Sequence, residues 1–379
     1  MKKSKKTKIF QAFSIVLLFA AMYAVCFTAV SRIDFINNLF ACIFISAIVA
    51  FIALAAYLLQ IFIHELGHLI FGLMTGYGFA SFSFFSFVIV KINGKFKSKR
   101  MSLVGTAGQC LMTPPEPVDG KYPYKLYHLG GVIVNAIVAL VAVPLYANFY
   151  NNVFLSEFFI GLAAWGFYIA ITNGIPMNSD FACNDGGNVA TLSKSEDARR
   201  AMWVEFKIYG LSKDGVRLKD MPEEYFEIPN EEKLSNHIMF TICVFAQSRL
   251  MDEHKFEEAE ELSSRLLSGE YPAIGIHYCI LTLDKIYCDI VLSGSADVSK
   301  LGEKQMAGFI KAMRNNPSVI RTQYAIAKVI EKDEAAAEQQ LSLFDTIAPT
   351  YPSSADIESE RELIEIVKSV NIVNTKIED

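Results

Sequence analysis

No Cys-x-x-Cys pair occurs in this sequence. Its seven cysteines, at positions 26, 42, 110, 183, 243, 279 and 288, are scattered and odd in number. That excludes a disulfide framework and fits a soluble part kept in a reducing compartment. The half after Ser193 contains neither a glycine-rich phosphate loop nor a nucleic-acid signature. With 40 acidic against 35 basic residues and a net charge of −5, the chain is also poorly suited to a polyanionic partner. Charge is scarcest in the first half. Up to about Met177 the sequence is mostly apolar runs joined by short polar segments, whereas beyond Ser193 it is rich in Glu, Lys, Asp and Ala. This contrast predicts a membrane domain over residues 1–192 and a cytoplasmic α-helical domain over 193–379.

Four runs are long enough for a bilayer, which needs roughly 20 helical residues. They are Phe10 to Val30, Leu39 to Ile63, Leu129 to Tyr150 and Phe154 to Met177. The first follows MKKSKKTK and reads as an uncleaved anchor, because the run is long and TAVSRID is a weak cleavage site. Lys2, Lys3, Lys5, Lys6 and Lys8 precede it; Lys91, Lys95, Lys97, Lys99, Arg100, Lys121 and Lys125 lie between the second and third runs. The connections after the first and third runs hold a single arginine between them. By the positive-inside rule this is a multi-pass protein of the cell membrane with both termini cytoplasmic. The second helix then runs inward and carries its C-terminal end to the cytoplasmic side.

That end reads IHELGH. On a helix, residues four apart share a face, so His64 and His68 can present two imidazoles to one ion. Glu65, offset by one position, is placed to reach a metal-bound water as general base rather than to serve as a third ligand. Ionisable residues inside a span are costly and mark function by default. Zinc suits the pattern, since it lowers the pKa of its water to near 7. A catalytic zinc needs a third protein ligand and an open position. Beyond the fourth run, Asp180, Cys183 and Asp185 are available; Asp185 is the best choice because Gly186 and Gly187 allow close backbone approach. Asp180 remains its rival.

The His64-Glu65-Leu66-Gly67-His68 motif in an apolar helix, with Asn173, Pro176, Asp185 and Gly186 after a later one, resembles the site-2 protease family of intramembrane zinc metalloproteases. The resemblance covers about residues 39–192. It implies a three-helix protease core made from the second, third and fourth runs, with zinc held by His64, His68 and Asp185 and Glu65 as base. A further match lies in HLGGVIVN, where Gly130, Gly131 and Asn135 stand at a small-residue segment of the middle core helix. Asn135 has two readings, a catalytic amide near the zinc that holds substrate or an oxyanion, and a hydrogen-bonding link between helices. Two departures stand out: no proline follows Gly131, and the gap from Pro176 to Asp185 is longer than the usual family pattern. Neither a PDZ module nor a cystathionine-synthase-like pair is apparent.

Between the second and third runs, Gly78 to Lys97 alternates in part and carries an Asn93-Gly94 turn signal, which predicts a small β-hairpin. Its open edge either pairs with an extended substrate or simply caps the bundle. The proline-rich MTPPEPVDGKYP reads as a loop. In the second half, helices are expected from about His237 to Met251 and then to Leu267, with a turn at Asp252 to Lys255. Tyr271-Pro272 and Tyr351-Pro352 lie 80 positions apart, so the half looks like a degenerate tetratricopeptide-type array whose concave face binds a peptide or protein. His237, His254 and His277 have no metal-ligand spacing.

The expected activity is hydrolysis of a transmembrane segment or signal-peptide remnant near the cytoplasmic face. The alternative is a non-catalytic scaffold with a vestigial metal site, disfavoured by the retention of Glu65. A transporter is the least favoured reading, because no repeated halves occur.

Overall fold

The computed structural model describes residues 5–30, 39–92, 94–100, 107–177, 183–269, 271 and 275–374. Asp180 therefore lies outside the described residues. The regular structure described includes thirteen α-helices, four short β-strands and six short 3-10 or π-helical segments. The chain falls into two compact units, residues 1–84 with 107–195, and residues 85–106 with 196–379.

The first unit begins with α1 (Lys5–Val30), then α2 (Leu39–Met74), α3 (Lys125–Asn148), α4 (Val153–Gly174) and the short α5 (Asp185–Lys194). Stretches of three helices, Ile43–Met74, Lys125–Asn148 and Val153–Gly174, are long and apolar enough to cross a membrane; the apolar stretch described in α1, Ala12–Thr28, is shorter. Large side chains such as Phe44, Phe51 and Leu140 are more than 60% exposed, an apolar surface compatible with a lipid environment. Toward its interior the bundle uses small residues: Ala56, Ala139, Ala142 and Ala163 are all buried. Without a hydrophobic force between helices in lipid, such small residues let backbones approach and make dispersion contacts. One such close approach is at Gly67 and Gly130, where a Cβ on either would meet the other's carbonyl oxygen at 2.4 and 2.5 Å.

At 36 residues α2 is longer than the apolar run that predicts it. With a rise of 1.5 Å per residue it extends about 54 Å, against a hydrocarbon core of about 30 Å. His64 sits about 37 Å from its start on the same rise, so the helix continues well past the histidine motif. Its end is closed at Gly76, whose φ of +86° needs glycine.

The insertion holds more than the expected hairpin. Strands β1 (Gly78–Phe84), β2 (Phe87–Ile92), β3 (Lys95–Arg100) and β4 (Gly108–Thr113) form two antiparallel ladders, β1 with β4 and β2 with β3. The expected turn joins β2 to β3, with Gly94 at φ +78°; Asn93 lies outside the described residues. In the first unit, β1 and β4 pack on α2, where Phe62 meets Phe82 and Phe84 edge-on at 5.5 and 5.7 Å between centroids. Strands β2 and β3 cluster instead with the second unit. There the Lys99 ammonium donates to the backbone carbonyl of Tyr351. The proline-rich stretch forms a loop closed by a Val118 to Lys121 bridge.

The second unit also contains α6 (Glu196–Lys213), α7 (His237–Asp252), α8 (Phe256–Ser268), α9 (Gly275–Ser293), α10 (Lys304–Ala312), α11 (Pro317–Ala325), α12 (Glu334–Ile347) and α13 (Ser354–Asn374). Their patterning is amphipathic: α8 buries Phe256, Ala259, Leu262, Ser263 and Leu266 and turns Glu257, Glu258 and Glu261 outward. The break between α7 and α8 falls where expected, with His254 at φ +59°. The core of this unit gathers Met251, Tyr287, Ile320, Phe344 and Val367 from five helices. Two buried arginines interrupt it. Arg217 reaches Asp252 at 2.5 Å, and Arg321 reaches Asp284 at 2.5 Å.

Candidate metal centre

Three elements of the first unit deliver the site. Helix α2 carries His64, Glu65 and His68, each 8% exposed. Helix α3 passes so closely that a Cβ on Gly131 would lie 2.6 Å from the His64 ring, so only glycine leaves room for the imidazole. Helix α5 starts at Asp185 and aims its carboxylate at both histidines, 3.0 Å from His64 Nε2 and 3.6 Å from His68 Nε2.

Asn184 sets where α5 begins. Its Oδ1 accepts from the N–H groups of Gly187 and Met177, each at 2.9 Å, and its Nδ2 donates to the carbonyls of Thr172 and Ile175 at 2.7 and 2.6 Å. One amide thus caps α5 and ties it to the end of α4. Gly186 completes the junction, since a Cβ there would stand 2.2 Å from the Gly174 carbonyl oxygen. Gly186→Ala is therefore expected to push Asp185 out of place. Displacing the carboxylate would weaken zinc binding by about 10- to 100-fold, the range for disturbing the outer-shell support of a metal ligand. Chelator competition for zinc should show that loss in Gly186→Ala and no change in Gly308→Ala, where an added Cβ meets open space.

The far side of each imidazole is held as well. His68 Nδ1 lies 2.8 Å from the backbone carbonyl of Tyr127, and His64 Nδ1 lies 2.6 Å from Asn135 Oδ1. A carbonyl oxygen only accepts, so both Nδ1 atoms donate and both Nε2 atoms face inward. The two Nε2 atoms are 3.1 Å apart. Among the described residues, Asp185 Oδ2 lacks a hydrogen-bond donor. Burial alone would raise the Asp185 carboxyl; positive charge on His68 and His64 outweighs it and holds the carboxyl below the ordinary aspartate value, and a shared metal cation would supply that charge in place of the ring protons.

Neutral rings and a carboxylate with lone pairs converging at this range repel unless they share a cation. A proton would bridge one pair; a divalent metal meets all three groups. The spacings of 3.0, 3.1 and 3.6 Å bracket the edge of about 3.3 Å expected of a tetrahedron with zinc bonds near 2.05 Å. The donor set therefore fits zinc. His64, His68 and Asp185 are also the metal-capable group found among the described residues. Cys183 is outside that group, and burial pushes its thiol up to about 12, which keeps it protonated.

Glu65 points to a different neighbour. A Cβ on Gly108 would come within 2.7 Å of its Cγ, and the backbone of Cys110 hydrogen-bonds its carboxylate. Strand β4 thus walls Glu65, and Tyr127 ties that strand to α3 by donating its hydroxyl to the Cys110 carbonyl at 2.8 Å.

Asn135 sits between Gln60 and His64. Its Nδ2 donates to the backbone carbonyl of Gln60 at 2.9 Å and to Gln60 Oε1 at 2.6 Å, while its Oδ1 faces His64. With both N–H groups engaged and the residue fully buried, the amide has nothing left for a substrate oxyanion. It acts on His64. Asn173 caps its own helix, donating to Ile169 O at 3.1 Å. Sequence reasoning missed Asn184 and Gln60; for the latter a signal existed, because residues 60, 64 and 68 form one polar stripe at a four-residue spacing. It also missed Glu157 in α4, fully buried and hydrogen-bonded by the Thr28 hydroxyl of α1 at 3.1 Å.

No family model matches the chain, and no curated protein or solved structure is significantly similar to it.

Proposed function

We propose that this chain is an intramembrane zinc endopeptidase with both termini in the cytoplasm, cutting a transmembrane segment or signal-peptide remnant near that face. The observation that carries the reading is the convergence of His64 Nε2, His68 Nε2 and the Asp185 carboxylate at tetrahedral spacings, with a buried carboxylate, Glu65, beside them. Zinc bound there supplies Lewis acidity and a water acidic enough to react near neutral pH. Glu65 takes the proton of the attacking water and returns it to the leaving amine. Asn135 and the Tyr127 carbonyl keep the rings oriented. A substrate helix hides its peptide bonds, so the scissile stretch must become extended; β4, beside Glu65 in the sheet, offers the backbone against which it can lie. The helical unit beyond residue 195, read as a tetratricopeptide-like array, selects or regulates the substrate.

The test is direct. The purified chain in detergent should hold one zinc, lose it in Asp185→Ala, keep it in Asp180→Ala, and cleave one or more of a panel of single-span and signal-peptide substrates. Zinc without any cleavage that depends on Glu65 favours the non-catalytic scaffold; absence of zinc sinks both.

A further inference from the structure

Gln60 is fully buried in α2, one turn before His64. Its Nε2 donates to the backbone carbonyl of Leu162 in α4 at 2.7 Å, and its Oε1 accepts from Asn135 Nδ2 at 2.6 Å. We propose that Gln60 is a positioning residue of the metal centre: through Asn135 it dictates which nitrogen of His64 carries hydrogen. This rests on the zinc reading above.

The order follows from one group that can only accept. Because the Leu162 carbonyl has no hydrogen to give, the Gln60 amide must turn its NH2 toward it. That leaves Oε1 facing Asn135, which must answer with its own NH2 and is held there a second time by the Gln60 backbone carbonyl. Asn135 Oδ1 is then directed at His64 Nδ1. Since Oδ1 only accepts, Nδ1 carries the hydrogen, and Nε2 keeps its lone pair toward His68 and Asp185. Flipping either amide would set two acceptors or two donors against each other with no water to relieve them. The packing enforces the arrangement, for a Cβ on Gly166 would stand 2.6 Å from Gln60 Nε2. His68 needs no such relay because a backbone carbonyl already fixes its tautomer. His64 faces a side-chain amide that could otherwise point either way. The relay removes that choice.

The experiment measures zinc affinity by chelator competition on the full chain in detergent, from about pH 5.5 to about pH 8, for wild type, Gln60→Met and Gln60→Glu. Gln60→Met keeps the length and removes both hydrogen bonds; zinc affinity should fall about 10- to 100-fold, the range for an outer-shell partner of a metal ligand. In Gln60→Glu a protonated carboxyl reproduces the order, its O–H donating to Leu162 and its carbonyl accepting from Asn135, whereas the ionised form presents two acceptors. The gap between Gln60→Glu and wild type should therefore narrow as pH falls and widen as it rises, a signature that a packing defect does not give. Wild-type affinity in Gln60→Met overturns the proposal, and so does a gap in Gln60→Glu that is independent of pH. If Gln60→Met does not fold, the pH trend of Gln60→Glu decides alone. A wild-type chain that binds no zinc removes the metal reading itself, a result separate from either variant outcome.

Discussion

Glu65→Gln is expected to retain one zinc per chain and to lose about 10²- to 10⁴-fold in cleavage rate, the usual contribution of a positioned general base. The two halves of this result have separate causes. Glutamine matches the shape of glutamate, so the close fit against Gly108 survives, yet its amide cannot take a proton from water at any useful pH. Zinc is retained because the metal-capable group consists of His64, His68 and Asp185 and does not include residue 65. Asp185→Ala should differ in the first half, losing the metal and with it the cleavage. Metal analysis and single-turnover cleavage of one substrate, run on both variants, separate base from ligand. Loss of zinc in Glu65→Gln would mean that the carboxylate holds the site together instead of serving chemistry.

What could be read from the sequence is what repeats at short range. His64 and His68 declare a shared helical face by spacing alone, and Asn93-Gly94 marks its turn because a tight hairpin needs left-handed residues there. Asp185, the third member of the metal-capable group, was reachable by residue type, since few acids stand immediately after the fourth apolar run. Partners fixed only by tertiary contact were not reachable. Gln60 owes its place to the Leu162 carbonyl, 102 positions away, and Lys99 finds its acceptor on Tyr351, 252 positions away. Strand β4 reads GQCLMT, with one β-branched residue and no clear alternation, so its extension comes from pairing with β1 and packing on α2 rather than from propensity. Asn135 shows the limit most clearly. Its identity announces that a buried amide must find partners, but whether it serves substrate or ligand depends on where its two N–H groups go, and Gln60 takes both.

The second unit should lose stability as pH rises, the reverse of the usual acid sensitivity of proteins. Arg321 is 1% exposed, donates to Asp284 at 2.5 Å, lies 3.2 Å from Glu360 and stacks over Tyr287. One cation therefore serves two carboxyls. Burial pushes Glu360 up to about 7 despite the opposing pull of Arg321, and it pushes Asp356 up to about 6. In α6, burial raises Glu205 to about 7 as well. A carboxyl whose folded pKa lies above its ordinary value is favoured protonated, so its stabilising contribution is complete below about pH 4.5 and is lost as pH climbs through about 7. Hydrogen exchange of α9 and α11 on the full chain should accelerate between about pH 5 and about pH 8, after correction for the intrinsic rate, and Glu360→Gln should flatten the trend. Arg321→Met should lower the stability of the unit by about 3–5 kcal/mol, since removing one partner leaves buried charge uncompensated. It should also steepen the pH trend, because Asp284 and Glu360 would then have to hold their protons to stay inside. Equal loss at both ends of the pH range would assign the effect to lost packing over Tyr287 and not to charge.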